Sequence, residues 1–166
     1  MGQTMHKSSF YKRVTKYNPR FRNEHGHYLA DEWTAIGDVG KVFAGHRLLL
    51  DEYLAVEARY AHAARLFLAG AAHVELESVE LRWLSETDEP LRALYEQVER
   101  GVRAFPVAEL GALVALALRE CLWCRLLDDT RTRAVEFGYD YYMYLGFERA
   151  DPECFRKIEQ LPLFME

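Results

Sequence analysis

Cys121-Leu-Trp-Cys124 has the two-residue spacing of a redox or metal-binding pair. A reactive thiolate needs an exposed helix N-terminus, where the dipole lowers its pKa. Here the pair follows the apolar run 109–120, at the C-terminal end of a helix, where the dipole opposes a thiolate. One pair cannot complete a tetrahedral zinc site, and Cys154 lies thirty residues further on. The expectation is therefore buried structural cysteines. His25-Gly26-His27, with Glu24 before it and Asp31 after it, has the alternation with which a loop can face one ion. Glycine-flanked histidines in a polar turn read first as turn residues, so neither metal nor cofactor is expected. Paired carboxylates for acid–base work would come from Asp31, Glu32 and Asp140. The plainer reading gives Asp140 a structural role, accepting hydrogen bonds from a neighbouring strand. With no phosphate-binding glycine loop, nucleophile elbow or zincin pair, the sequence is not read as an enzyme.

The elements that position these residues follow from periodicity. Phe137–Phe147 alternates at a period of two, with Phe137, Tyr139, Tyr141, Met143, Leu145 and Phe147 on one side. Gly138, Asp140, Tyr142, Tyr144 and Gly146 take the other, which predicts a half-buried antiparallel strand with an aromatic outer face. Tyr142 and Tyr144 then either form a recognition surface or lie under a helix of the same domain.

Residues 50–69 predict a helix whose core stripe is Tyr53, Val56, Tyr60, Ala63, Ala64 and Phe67, with Glu57 and Arg59 off it. His73–Leu84 predicts a strand that changes phase near Ser78, where a β-bulge keeps one core face. Further strands are expected at 9–17, 122–127, 133–147 and, at an edge, 163–165. Further helices are expected after Pro90, over 109–120 and over 152–160. Residues 18–35 read as a long polar loop, and 37–43 as a single helical turn ending near Gly45. Together these predict one α+β domain over 9–166, after an unstructured 1–8. Its antiparallel sheet would have about four to six strands, with helices mainly on one face.

Charge is distributed unevenly. Residues 1–23 carry six basic groups and no acid, whereas 73–99 carry eight acids, among them Glu75, Glu77 and Glu80, against Arg82 and Arg92. A net charge of −5 disfavours nucleic acid as the main partner. No apolar run reaches the roughly 18 residues of a spanning helix, and no leader is evident, so a cytoplasmic protein without membrane contact is expected.

Tyr11-Lys-Arg-Val-Thr-Lys-Tyr-Asn-Pro19, Gly26-His-Tyr28, Asp31-Glu-Trp-Thr34, Leu118-Arg-Glu-Cys-Leu-Trp-Cys124, Phe137–Tyr144 and the terminal Leu163-Phe-Met-Glu166 span both ends of the chain. In these segments the chain resembles small bacterial immunity proteins, which protect cells from contact-dependent and other polymorphic toxins. Arg47-Leu-Leu-Leu50 departs from expectation, since no Ser or Thr caps the helix that follows. The resemblance implies an inhibitor that binds and occludes a basic toxin domain, for example a nuclease, through carboxylates and aromatic anchors. Asp31, Glu32, Asp140, Tyr142 and Tyr144 are the candidates, with Glu75, Glu77 and Glu80 as a second acidic patch. The rival readings are an enzyme using carboxylates near the 18–35 loop, and a nucleic-acid binder using residues 7–22.

Overall fold

The computed structural model describes residues 10–166, so the expectations for 1–8 and for Ser9 lie outside the described residues. Among those residues one antiparallel sheet of seven strands forms the frame, in the order β5-β4-β6-β7-β8-β1-β9. Its strands are β1 (Phe10–Thr15), β4 (His73–Leu81), β5 (Ala104–Pro106), β6 (Leu122–Asp128), β7 (Arg133–Phe137), β8 (Tyr142–Phe147) and β9 (Phe164–Met165). The α+β class holds, with more strands than the sequence pattern suggested. The single helical turn expected over 37–43 is present only as a short 3-10 turn at Ile36–Asp38; a separate two-stranded hairpin, β2 (Val42–Phe43) and β3 (His46–Arg47), follows it. Ala44 and Gly45, both at positive φ, turn that hairpin.

Among the described residues four α-helices, α1 (Leu50–Phe67), α2 (Arg92–Glu99), α3 (Leu110–Leu118) and α4 (Pro152–Glu159), share one core with one face of the sheet. Val74 and Leu76 of β4, Cys124 and Leu126 of β6, Val135 of β7, Met143 and Leu145 of β8 and Val14 of β1 project into that core. Strand register puts all of them on the same face. α3 is apolar nearly all round and almost wholly buried, as a central helix must be. α1 starts without a Ser or Thr cap. Glu52 takes up half of that task, its Oε2 accepting the Leu49 N–H at 2.9 Å.

The expected bulge is present: the β4–β6 register shifts between Glu77 and Glu80, and Ser78 sits at φ +51°. The continuous strand over 133–147 is not. It is a hairpin, with Phe137 opposite Met143 and a tight turn at 139–142. Asp140 (φ +56°) and Tyr141 (φ +66°) are both left-handed, as a type I′ turn requires. Gly138 pairs with Tyr142 across a loop of odd length, so odd-numbered residues keep the core side on both arms. A period of two therefore runs through the turn without a break, which is why the pattern reads as a single strand.

Candidate functional site

The second face of the sheet carries no helix among the described residues. Register brings three rows of side chains together on it. One row reads Glu77, Arg125, Glu136, Tyr144, Arg13 and Glu166, alternating in sign across six strands apart from the tyrosine. Arg125 lies 3.4 Å from Glu77 and 2.5 Å from Glu136, and Arg13 Nε donates to Glu166 at 2.7 Å. The flanking rows hold Trp123, Gly138 and Tyr142 on one side, and Leu127, Ala134, Gly146 and Tyr11 on the other. Trp123 packs against Tyr139 at 5.2 Å between ring centroids, and the Arg82 guanidinium sits 5.5 Å from the Trp123 ring.

Tyr142 and Tyr144 are thus on this open face, each half-buried among its neighbours rather than under a helix. Asp140 is not on a strand face. It occupies the tip of the β7–β8 turn, and its carbonyl accepts the Tyr17 hydroxyl at 2.7 Å. Tyr139, expected on the core side, is exposed for the same reason. Tyr17 also packs against Tyr142 (5.5 Å) and Tyr28 (4.9 Å), so the 18–35 loop is pinned along one edge of the sheet. Glu32 accepts from Lys16 Nζ at 2.9 Å; the ammonium lies 3.9 Å from the Trp33 ring. Burial lowers the Lys16 pKa to about 8, with Glu32 working in the opposite direction. Lys16 and Tyr17 therefore connect Glu32, Asp140 and Tyr142. Asp31 accepts the Ala44 N–H at 2.7 Å and fastens the β2–β3 hairpin to the same loop.

Glu75 and Glu77 do not form a free acidic patch. Arg131 bridges both, 2.5 Å from Glu75, and Arg125 shares Glu77. Glu80, beyond the bulge, is exposed and 3.9 Å from Arg82. Half of the basic N-terminal run is likewise answered within the fold: Arg13 and Arg22 bind Glu166, and Lys16 binds Glu32.

A buried polar cluster lies between the helices. Arg119, at the end of α3, grips Glu57 of α1 with two nitrogens at 2.8 Å each and reaches Asp88 at 2.9 Å. Burial opposes the guanidinium's charge, but the bonds to Glu57 and Asp88 outweigh it and raise its pKa. The Tyr53 hydroxyl donates to Glu57 at 2.9 Å and is also bonded to Tyr141, whose backbone carbonyl accepts from Tyr60 at 2.7 Å. Sequence reasoning placed Glu57 off the core stripe; it is 7% exposed. The signal was its spacing, four residues after Tyr53 and three before Tyr60, inside the stripe itself. With every guanidinium nitrogen engaged, Arg119 acts as a strut between α1, α3 and the 85–88 turn. The crevice beside it, lined by Asp140, Glu120 and Tyr141 among others, holds only about 50 Å³, room for a water or two.

The cysteines are buried, as expected. Cys121 Sγ donates to Asp88 at 3.4 Å, and burial pushes the Cys121 and Cys124 thiols up to about 12. His25 and His27 both donate their backbone N–H to Asn23 Oδ1 at 2.9 Å, in keeping with turn residues. Among the described residues no three His, Cys, Asp or Glu side chains converge on a metal position, and no helix is long and apolar enough to cross a membrane. Compared with family models, curated proteins and solved structures, the chain matches none.

Proposed function

We propose that this protein acts by binding and occluding another protein, and that the partner is a basic toxin domain, as for the immunity proteins its sequence resembles. One observation carries the reading: the sheet face that carries no helix among the described residues, where Tyr11, Trp123, Tyr139, Tyr142 and Tyr144 lie among paired arginines and glutamates. Tyrosine, tryptophan and arginine are the side chains that dominate interface energetics. Strands hold all of them but Tyr139, which sits in the β7–β8 turn, at fixed spacing, so little ordering is left to be done on docking. The alternating charges supply register and selectivity rather than bulk attraction. Attraction at a distance comes from the net charge of −5, which steers a cationic partner towards the molecule. The molecule works in the cytoplasm and performs no bond-making chemistry of its own.

Co-expression with the toxin domain encoded by the adjacent reading frame tests this. The expected outcome is rescue of growth and a stable complex. Trp123→Ala with Tyr144→Ala should abolish the complex while far-UV circular dichroism stays unchanged. A toxin that kills regardless, with no complex formed, would sink the reading.

A further inference from the structure

Beside the pinned loop lies a groove of about 260 Å³ between the 31–33 segment, the β2–β3 hairpin and the first turns of α1. Trp33, Phe43, Leu48 and Val56 form its apolar floor, and Asp31, Glu32 and Glu52 stand on its rim. Lys16 answers Glu32. Asp31 is held by the Ala44 N–H alone, and Glu52 by the Leu49 N–H and the His46 ring at 2.8 Å. Two rim carboxylates thus face the groove without a lysine or arginine partner among the described residues. The Leu49 N–H, then His46, keep Glu52 below its ordinary pKa, so it stays ionised at neutral pH.

We infer that this groove is the anchor point for an arginine side chain of the partner, its aliphatic stem on Leu48, Val56 and Phe43 and its guanidinium between Asp31 and Glu52. Charge complementarity selects the occupant. A neutral apolar side chain would leave Asp31 with the Ala44 N–H and Glu52 with the His46 ring and the Leu49 N–H, whereas a guanidinium presents a planar fork of donors to both. A long side chain also matches a cleft with an apolar floor and a charged rim. The groove adjoins the edge of the sheet face through Trp33, Lys16 and Tyr17, so one partner can span both. The anchor role rests on the partner-binding reading above.

The test uses N-acetyl-arginine amide as probe, with N-acetyl-norleucine amide as neutral control, followed by ¹H–¹⁵N chemical shifts of the intact protein. Arginine amide is expected to move the Trp33, Ala44, Leu48 and Glu52 amides. Asp31→Asn with Glu52→Gln should weaken that response at least about tenfold. Both replacements keep the acceptors that hold Ala44 and Leu49, and Glu52→Gln alone serves if the pair does not fold. Equal shifts with the norleucine probe, shifts elsewhere only, or an undiminished response in the variants would each overturn the inference. Capture of the toxin domain by a protein whose groove ignores arginine amide would remove this inference alone. Groove binding without toxin capture would remove the partner-binding reading.

Discussion

Tyr11 and Gly146 are direct cross-strand partners, and the tyrosine ring occupies the space that a β-carbon on residue 146 would need. Such a carbon would fall 2.8 Å from the ring edge. Tyr144 covers Gly138 in a similar way, at 3.1 Å. Both rings therefore lie along the sheet and shield backbone that glycine would leave bare.

Gly146→Ala should displace the Tyr11 ring, which is 46% exposed and free to swing outward. The expected cost is about 1 kcal/mol, and less once Tyr11→Ala has removed the ring. Urea unfolding of the two single variants and the double variant measures the coupling. Additive effects would show that the ring does not occupy this space.

Arg119→Ala strands Glu57 and Asp88, 7% and 3% exposed, without their counter-charge. A loss of about 3–5 kcal/mol is expected. Because Arg119 lowers and Asp88 raises the Cys121 pKa, losing the arginine should push the thiol further up and slow its reaction with a disulfide reagent under native conditions. Unchanged stability would mean that the cluster relaxes around the deletion.

Tyr141 combines an unfavourable backbone with a favourable side chain. Its φ of +66° is unusual for an aromatic residue, yet its ring packs against Trp33, Tyr53 and Tyr60 at 5.1–5.9 Å. Tyr141→Ala should cost about 3–5 kcal/mol, since the buried ring outweighs the strain. Asp140→Asn, at the neighbouring left-handed position, should be neutral or stabilising by about 0.5 kcal/mol. Thermal unfolding of the two variants decides, and the opposite order would refute it.

Alkaline pH should destabilise the fold. Cys121 and Cys124 move from the ordinary 9.0 to about 12, so the unfolded chain loses these protons first. Their contribution is complete below pH 9 and is lost as pH rises towards 12. Burial raises Tyr17, Tyr53, Tyr60 and Tyr141 as well, which extends the loss above their ordinary 10.0. Lys16 acts in the opposite direction between about 8 and 10.5, where its lowered pKa lets stability rise with pH. Lys16 therefore keeps stability level or rising between pH 8 and 9, and above about 9 the two thiols and then the four phenols outweigh it, so the fall is read between pH 9 and 11. Chemical unfolding at pH 8, 9, 10 and 11 measures the slope, and a flat profile would contradict it.

Side-chain period was enough to locate α1, α3, β6 and the bulge at Ser78, because each depends on neighbours a few positions away. It failed at 137–147, where an odd-length loop preserves parity across a turn and Asp-Tyr stands where Asn-Gly would have announced it. The acidic patch at Glu75 and Glu77 was misjudged for a different reason. Its counter-charges, Arg125 and Arg131, arrive from β6 and the β6–β7 turn about fifty residues later in the chain. Glu32 and Lys16 stand sixteen residues apart, and their meeting depends on how the loop folds back. Convergence of that kind is a property of tertiary structure and leaves no trace in local spacing.

The placement of β1 between β8 and β9 has a consequence for biosynthesis. Phe10–Thr15 leaves the ribosome well before Tyr142–Phe147, its hydrogen-bonding neighbour, which is translated more than a hundred residues later. Throughout that interval the nascent chain exposes an unpaired, aromatic-rich strand, which makes a holding chaperone valuable and slows closure through high contact order.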